Sequence, residues 1–303
     1  MEKQTWTEGF IEIEKDIYGY VTGGGLMMSN CCMVVGKKAA LVFDVLCTTK
    51  LTQAFIDECR KKINVPIKYL VISHPHGDHF MGAKVLEGAT VIGCAGMKEA
   101  FDADAKRNAF EGVQKRMPEH DFSDASYPYP DIYLSGDISI DLGEKIIELK
   151  RMGKCHTPFD LVMFVPDCGF LAGGDTLFQF VTPPTTAGDI DHWINQLTML
   201  QKYQIQKVLP GHGPVADKSI ISTMKQYFES LKEQAEKVVK GELDMDEEEP
   251  MPLEKALLAE GWKEAVRSFF STEQYISKLR GEQFVPNTAR AIAIELERKK
   301  RGY

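Results

Sequence analysis

The chain has 303 residues, of which 44% are hydrophobic and 26% charged, and a net charge of −8. That is enough apolar material for one large α/β domain with an added element, and the acidic balance disfavours a phosphate backbone, so a small-molecule substrate is expected and nucleic acid is not. No window is apolar for long enough to span a bilayer, and the start, MEKQTWTEGF, lacks an apolar run and a small-residue cleavage site, so a cytoplasmic protein without a membrane partner is expected.

In chain order, Phe10 to Val45 alternates and turns like a meander of antiparallel strands, with the glycines at 23–25 as one turn and GKK as another. Leu51, Phe55, Ile56 and Cys59 then fall at helical spacing, with Thr48 or Thr49 as the N-cap. IKYLVIS is a short buried strand, followed by a helix over 82–87, a strand over 90–94, a helix from Gly96 to about Phe110, and an irregular stretch from Gly112 to Pro130. A second strand-rich part comprises DIYLSGDISIDLG, KIIELKRM, LVMFV and FLAGG, before a helix over 191–203 and the strand KVLP. Residues 1–219 are taken as a catalytic domain and 220–303 as a helical appendage packing on it. The appendage has helices over 224–239, 253–260 and 262–270, an acidic loop at GELDMDEEEP, and a last helix from Thr288. It either caps a site or makes a homodimer contact.

The seven cysteines are odd in number, irregularly spaced and free of any CxxC, which points to reduced thiols. Cys31 and Cys32 are adjacent and face opposite sides of one strand, and Cys155 is read as packing.

The chemistry concentrates in SHPHGDHF, Ser73 to Phe80. His74, His76, Asp78 and His79 share one turn at the C-terminal end of IKYLVIS, where ligand sites of α/β sheets lie. Positions i and i+2 point the same way, so His74 and His76 can pair on one ion while Asp78 and His79 serve another; imidazole with carboxylate suits Zn, Fe or Mn. Three further candidates sit at strand ends beside small or turn-forming residues: His156 in KCHTPFD, Asp175 in GGDTLF and His212 in LPGHGP. His120 and His192 lack that setting.

His74-x-His76-x-Asp78-His79, followed by His156, Asp175 and His212, resembles the metallo-β-lactamase superfamily over roughly residues 10–220. The resemblance is to its hydrolase branch of glyoxalase II, lactonases and plain metallo-hydrolases. It implies an αββα sandwich of two mixed sheets with metals at one edge. It also implies one ion on His74, His76 and His156, a second on Asp78, His79 and His212, and Asp175 as the bridge. Asp44, in ALVFDV, resembles an aspartate that fixes the metal turn from behind. A bridging Asp, where several β-lactamases have Cys or Ser, tilts the expectation away from antibiotic hydrolysis. Phe159 departs from the family's Thr-Pro-Gly after the third histidine.

The implied activity is cleavage of an ester, thioester or lactone of a small, partly apolar substrate. A hydroxide shared by two divalent ions, zinc first and iron or manganese otherwise, attacks the carbonyl carbon, and Asp78 handles the proton. Met27, Met28, Phe80, Phe159, Phe178, Phe180 and Trp193 are candidate pocket residues, and the segment 180–189 is a candidate rim loop. No clear basic cluster marks a carboxylate-rich substrate; Lys84, Lys150, Arg151 and Lys154 are scattered candidates. The alternatives are an iron-dependent redox enzyme resembling persulfide dioxygenases, a phosphodiesterase on the same scaffold, and a binding protein that has lost activity. Iron colour with oxygen uptake, a phosphodiester chromogen, and a lack of turnover on any panel would mark them respectively.

Overall fold

The computed structural model describes residues 5–24, 27–181, 183–185 and 188–238. The helices expected over 253–260, 262–270 and from Thr288, the acidic loop and Gly25 lie outside them.

Among the described residues, twelve strands form two sheets. The first holds β1 (Gly9–Glu14), β2 (Ile17–Val21), β3 (Cys31–Val35), β4 (Ala40–Phe43), β5 (Ile67–Val71), β6 (Thr90–Cys94) and β7 (Ile132–Leu134), in that order across the sheet. β1 to β4 pair antiparallel and β4 to β7 parallel, so the meander gives way to crossovers. The second sheet has the order β12 (Lys207–Leu209), β11 (Phe170–Ala172), β10 (Asp160–Val165), β9 (Ile146–Gly153) and β8 (Ile138–Asp141), with β11 and β12 parallel. DIYLSGDISIDLG therefore does not make one unit: β7 closes the first sheet and β8 opens the second.

Side-chain alternation along these strands builds an αββα sandwich. Cys32, Val34, Leu41 and Phe43 meet Leu149, Leu161, Met163 and Val165 between the sheets. Cys31, Met33, Ala40 and Val42 point the other way, onto α1 (Thr49–Arg60), α2 (Met97–Lys106) and α3 (Ala109–Arg116). Cys31 and Cys32 thus lie in different layers. On the far side, Val162 and Phe164 pack under α4 (Ile190–Leu200) and α5 (Ser219–Val238). β10 is buried on both faces at all six positions, which is why LVMFV reads as an unbroken apolar run.

Thr48 caps α1 through its hydroxyl, which accepts from Leu51 N at 3.2 Å. The helix expected from Gly96 to Phe110 is instead two, because Asn108 adopts a left-handed φ of 51° and ends the helical run. α3 occupies part of the stretch read as irregular, and residues 82–87 make only a short 3₁₀ turn, Ala83–Leu86.

α5 buries Ile220, Ile221, Met224 and Phe228 against α4, with the Phe228 ring 4.7 Å from that of Trp193, and Lys232 pairs with Asp191 at 2.6 Å. The start of the expected appendage is thus part of the core under the second sheet. Phe228→Ala should lower unfolding stability by about 3–5 kcal/mol in a urea titration; an unchanged midpoint would show that α5 is dispensable to the core.

Candidate metal centre

Every expected ligand stands just beyond the C-terminal end of a strand, at one edge of the sandwich: His74, His76, Asp78 and His79 after β5, His156 after β9, Asp175 after β11 and His212 after β12. Two main-chain bonds sew that edge together across the sheets, Leu161 N donating to Ser73 O at 2.9 Å and Asn30 N to Gly211 O at 2.7 Å.

Asp175 lies at the middle. Its Oδ2 faces His156 Nε2 at 3.2 Å and His74 Nε2 at 3.7 Å, and His156 Nε2 lies 2.8 Å from His76 Nδ1. Its Oδ1 faces His79 Nε2 at 3.1 Å and His212 Nε2 at 3.4 Å. Asp78 Oδ2 completes that second group, 3.3 Å from His212 Nε2 and 3.8 Å from His79 Nε2. A tetrahedral ion with bonds of about 2.0–2.1 Å would hold its donors roughly 3.4 Å apart, and both groups are drawn together to that scale.

The outer nitrogens fix what the inner ones offer. Pro184 O only accepts, so His156 Nδ1, 2.9 Å away, carries the proton and Nε2 presents a lone pair. Asp44 Oδ2 accepts from His79 Nδ1 at 2.8 Å. It also accepts from Ser73 Oγ at 2.7 Å, which leaves that hydroxyl to accept from His74 Nδ1 at 2.9 Å. Both of these histidines therefore turn bare Nε2 atoms inward, and His74 Nε2, His79 Nε2 and Asp175 Oδ1 are buried without a hydrogen-bond partner. Lone pairs aimed at one another and at a carboxylate in a water-poor pocket are unfavourable unless a cation lies between them. The donor set fits two divalent ions.

Without a cation between them, the carboxylates draw protons onto part of the cluster instead. Burial pulls His74 down well below its usual value, His79's charge adds to this, and burial takes His156 down to about 4. Burial opposes charge on His79 and His212 too, but Asp175 and Asp78 outweigh it, holding His79 well above its usual value and His212 up to about 9. Asp175, despite its burial, is held well below the carboxylate range by His212, His79 and His156. The second group is the more anionic and demands positive charge.

Close backbone packing makes the geometry attainable. A Cβ on Gly211 would sit 2.1 Å from Asp175 Oδ1, so LPGHGP needs glycine there to admit the carboxylate. Gly174, at φ +47°, passes with no room for a side chain against Ser73. Asp44 itself takes φ 56°, tolerable for Asp, and the turn aims its carboxylate back at Ser73 and His79.

Several contributors carry no motif. Asp160 accepts from His156 N at 2.5 Å and Thr157 Oγ1 at 2.6 Å, closing the His156 loop; burial raises its pKa to about 7. Asn30 Nδ2 donates to Pro210 O at 3.0 Å and Gly213 O at 2.7 Å, clamping the His212 loop, while Ser29 Oγ donates to Asp78 O at 2.6 Å.

The expected pocket aromatics mostly serve elsewhere. Phe80 is fully buried in an aromatic cluster with Phe101, 4.7 Å between centroids, and Tyr127, so it is core and not pocket wall. Trp193 is also fully buried, its Nε1 donating to Thr176 O at 3.0 Å and its ring 6.0 Å from that of His156. Phe178 stacks on His212 at 5.4 Å with 1° between planes. Phe178 and Trp193 back the ligands from the protein side, where neither is available to a substrate. Phe159 lies over Gly96 at the start of α2. Met27 sits at the metal turn, with its Cε 3.3 Å from where a Cβ on Gly77 would be, and Met28 Sδ is 3.9 Å from Cys47 Sγ. Phe180 is partly buried, in the segment after Asp175.

Outside the centre, His192 Nε2 bonds Met152 O at 2.7 Å, and His120 stands beside Glu119 at 3.8 Å. Cys155 is fully buried and burial raises its thiol well above the usual value, which fits packing. Lys84 pairs with Asp124 and Lys150 with Glu148, so these bases do not converge.

The sequence matches the family model described as metallo-beta-lactamase superfamily over residues 24–212, more than half of the chain. The chain belongs to that superfamily. It is 25% identical over 233 residues to the metallo-beta-lactamase type 2 of Bacillus cereus, covering 73% of this chain and 82% of that protein. It is 22% identical over 231 residues to the beta-lactamase-like protein 2 homolog of Caenorhabditis elegans, covering 74% and 68%. Among solved structures, a metallo-beta-lactamase from Pontibacter korlensis superposes with a TM-score of 0.59 at 19% identity, covering 74% of this chain and 99% of that one, a likeness of fold. The chain is thus a superfamily metallo-hydrolase with two buried His/Asp clusters suited to metal.

Asp44→Asn removes one acceptor from the three donors of Ser73 and His79. It should weaken metal affinity by about 10–100-fold in a chelator competition, with the circular dichroism spectrum retained. His120→Ala should leave affinity intact. Unchanged affinity in the first variant, or lost metal in the second, would contradict this assignment.

Proposed function

We propose that this protein is a dinuclear metal-dependent hydrolase of ester, thioester or lactone bonds, using two divalent ions, zinc by preference and iron or manganese otherwise. The observation that carries the reading is Asp175, whose two oxygens each face a separate set of donors. His74, His76 and His156 would hold one ion, and Asp78, His79 and His212 the other. Two ions so placed supply Lewis acidity toward a carbonyl oxygen and lower the pKa of a coordinated water toward neutrality.

The chain's own residues supply orientation and proton handling. Asp44 and Ser73 keep the rings of His74 and His79 in the tautomers described above, and Pro184 does so for His156. Asp78 is held ionised, since His79 and His212 outweigh the effect of its burial, and would orient the nucleophilic water and carry a proton to the leaving group. The ring stack of Phe178 on His212 and the buried Trp193 exclude water from the rear of the centre.

A second reading, β-lactam amide cleavage, is favoured by the identity with the Bacillus cereus protein. Against it stands the make-up of the two clusters, which contain His and Asp and no thiolate. The branch we favour is the glyoxalase II and lactonase-like one. All seven cysteines are free thiols, which supports a reducing, cytoplasmic setting. No helix among the described residues is long and apolar enough to cross a membrane.

Purified protein should contain about two zinc or manganese ions per chain and cleave members of a thioester, lactone and aryl-ester panel faster than a chromogenic cephalosporin. Chelation should abolish turnover and metal should restore it. Asp78→Ala should cut kcat by at least about a hundredfold while the fold survives. About one iron per chain with oxygen uptake on a persulfide would replace hydrolysis by redox chemistry.

A further inference from the structure

The metal turn follows the C-terminal end of β5. The other end of that strand, at Ile67, borders a cavity of about 400 Å³. None of the expected metal ligands lines it, and the five residues of β5, roughly 16 Å of extended chain, stand between it and the metal turn. Its two walls are the segments that lead into and out of that turn. Before β5, in INVPI, Ile63, Val65 and Ile67 are half-buried while Lys62, Asn64, Pro66 and Lys68 are exposed, so one side of the segment is apolar. Opposite them, Val85, Leu86 and Ala89 belong to the 3₁₀ turn Ala83–Leu86 and the residues after it. Leu86 is buried, whereas Ile63, Val65, Ile67, Val85 and Ala89 pack against the core under α1 without being enclosed by it. At Gly88, φ +94°, a Cβ would meet nothing within 4 Å, so the cavity opens there.

Charge at the opening is one-sided. Arg60, the last residue of α1, lines the cavity and is exposed. Its neighbour Lys61 is engaged by Glu58 at 2.5 Å, but among the described residues Arg60 has no ion-pair partner. Glu87 is the acid of the lining, and its charge is met from its own side: Asp124 and then Glu87 raise the pKa of Lys84.

We propose that this cavity is a second ligand site, remote from the metal centre, for a small amphipathic carboxylate of the fatty-acid type, its apolar body on the Ile63 and Val85 walls and its carboxylate on Arg60. The proposal stands independently of the hydrolase reading. The volume falls within the roughly 300–1,000 Å³ of small-molecule sites, and such sites pair an apolar lining with a few polar groups that fix orientation. A guanidinium presents a planar fork that matches a carboxylate, and burying the apolar body removes aliphatic surface from water. A neutral ligand would leave Arg60 unused, and a polyanion would meet Glu87 at the same opening, so a single negative charge on an apolar body is the chemistry that complements the lining.

The test is a calorimetric titration of the full-length, zinc-loaded protein with decanoate, decan-1-ol and acetate. Decanoate should bind, decan-1-ol about tenfold more weakly, and acetate without measurable heat. Arg60→Gln, a surface change, should weaken decanoate about tenfold and leave decan-1-ol unchanged. Ala89→Phe, which fills the cavity, should abolish the binding of both, with the metal content and the circular dichroism spectrum retained. Absence of decanoate binding to the wild type would overturn the proposal, as would decan-1-ol binding as tightly as decanoate. Decanoate affinity unchanged in both variants would place the carboxylate elsewhere, the metal centre included, and overturn it too. A concentration-dependent dimer that Ala89→Phe disrupts would give the cavity to a second copy of the chain and likewise overturn it.

Discussion

The buried carboxylate of Asp175 is the constraint on which this site is built. It lies between five imidazoles and a second carboxylate, beneath the surface, with Oδ1 unpartnered. Desolvation alone would drive it to take up a proton; the charges of His212, His79 and His156 hold it ionised instead. Two groups of donors at coordination spacing are consistent with a pair of metal ions, which would balance that charge without disturbing the tautomers set by Asp44, Ser73 and Pro184.

The αββα sandwich delivers this arrangement because strands of both sheets end at the same edge. β4 and β5 run parallel and release Asp44 and the metal turn side by side, and β11 and β12 run parallel and release Asp175 and His212. Local conformations then trade comfort for position. Gly211 yields its side chain to Asp175, and Asp44 accepts a left-handed backbone to face Ser73. Behind the ligands, Phe178 and Trp193 turn the rear wall into core, so rigidity at the metals and packing under the second sheet are one property.

Much of this was legible in the residues. HPHGDH placed four donor residues on one turn, and the glycines beside Asp175 and His212 announced close approach at strand ends. What escaped the sequence were partners distant in the chain with no motif. Asn30 reaches Pro210 and Gly213, Ser29 reaches Asp78, and Trp6 reaches Thr22, each a single polar or aromatic residue whose target is set by topology. The aromatics failed for a related reason: residue type cannot tell which side of a strand or turn faces the core, so Phe80 and Trp193 read as pocket yet lie buried. Asn108 ended a helix whose periodicity ran on through it, because one left-handed residue overrides spacing. β7 and β8 looked like one unit because composition does not record a change of sheet.

The measurement that bears most directly on the central claim is anomalous X-ray scattering from crystals of the metal-loaded protein, collected on either side of the metal's absorption edge. The account predicts two peaks on opposite sides of the Asp175 carboxylate, about 3.5–4 Å apart, one ringed by His74, His76 and His156 and the other by Asp78, His79 and His212. A single peak, or two peaks with Asp175 turned away from both, would contradict it.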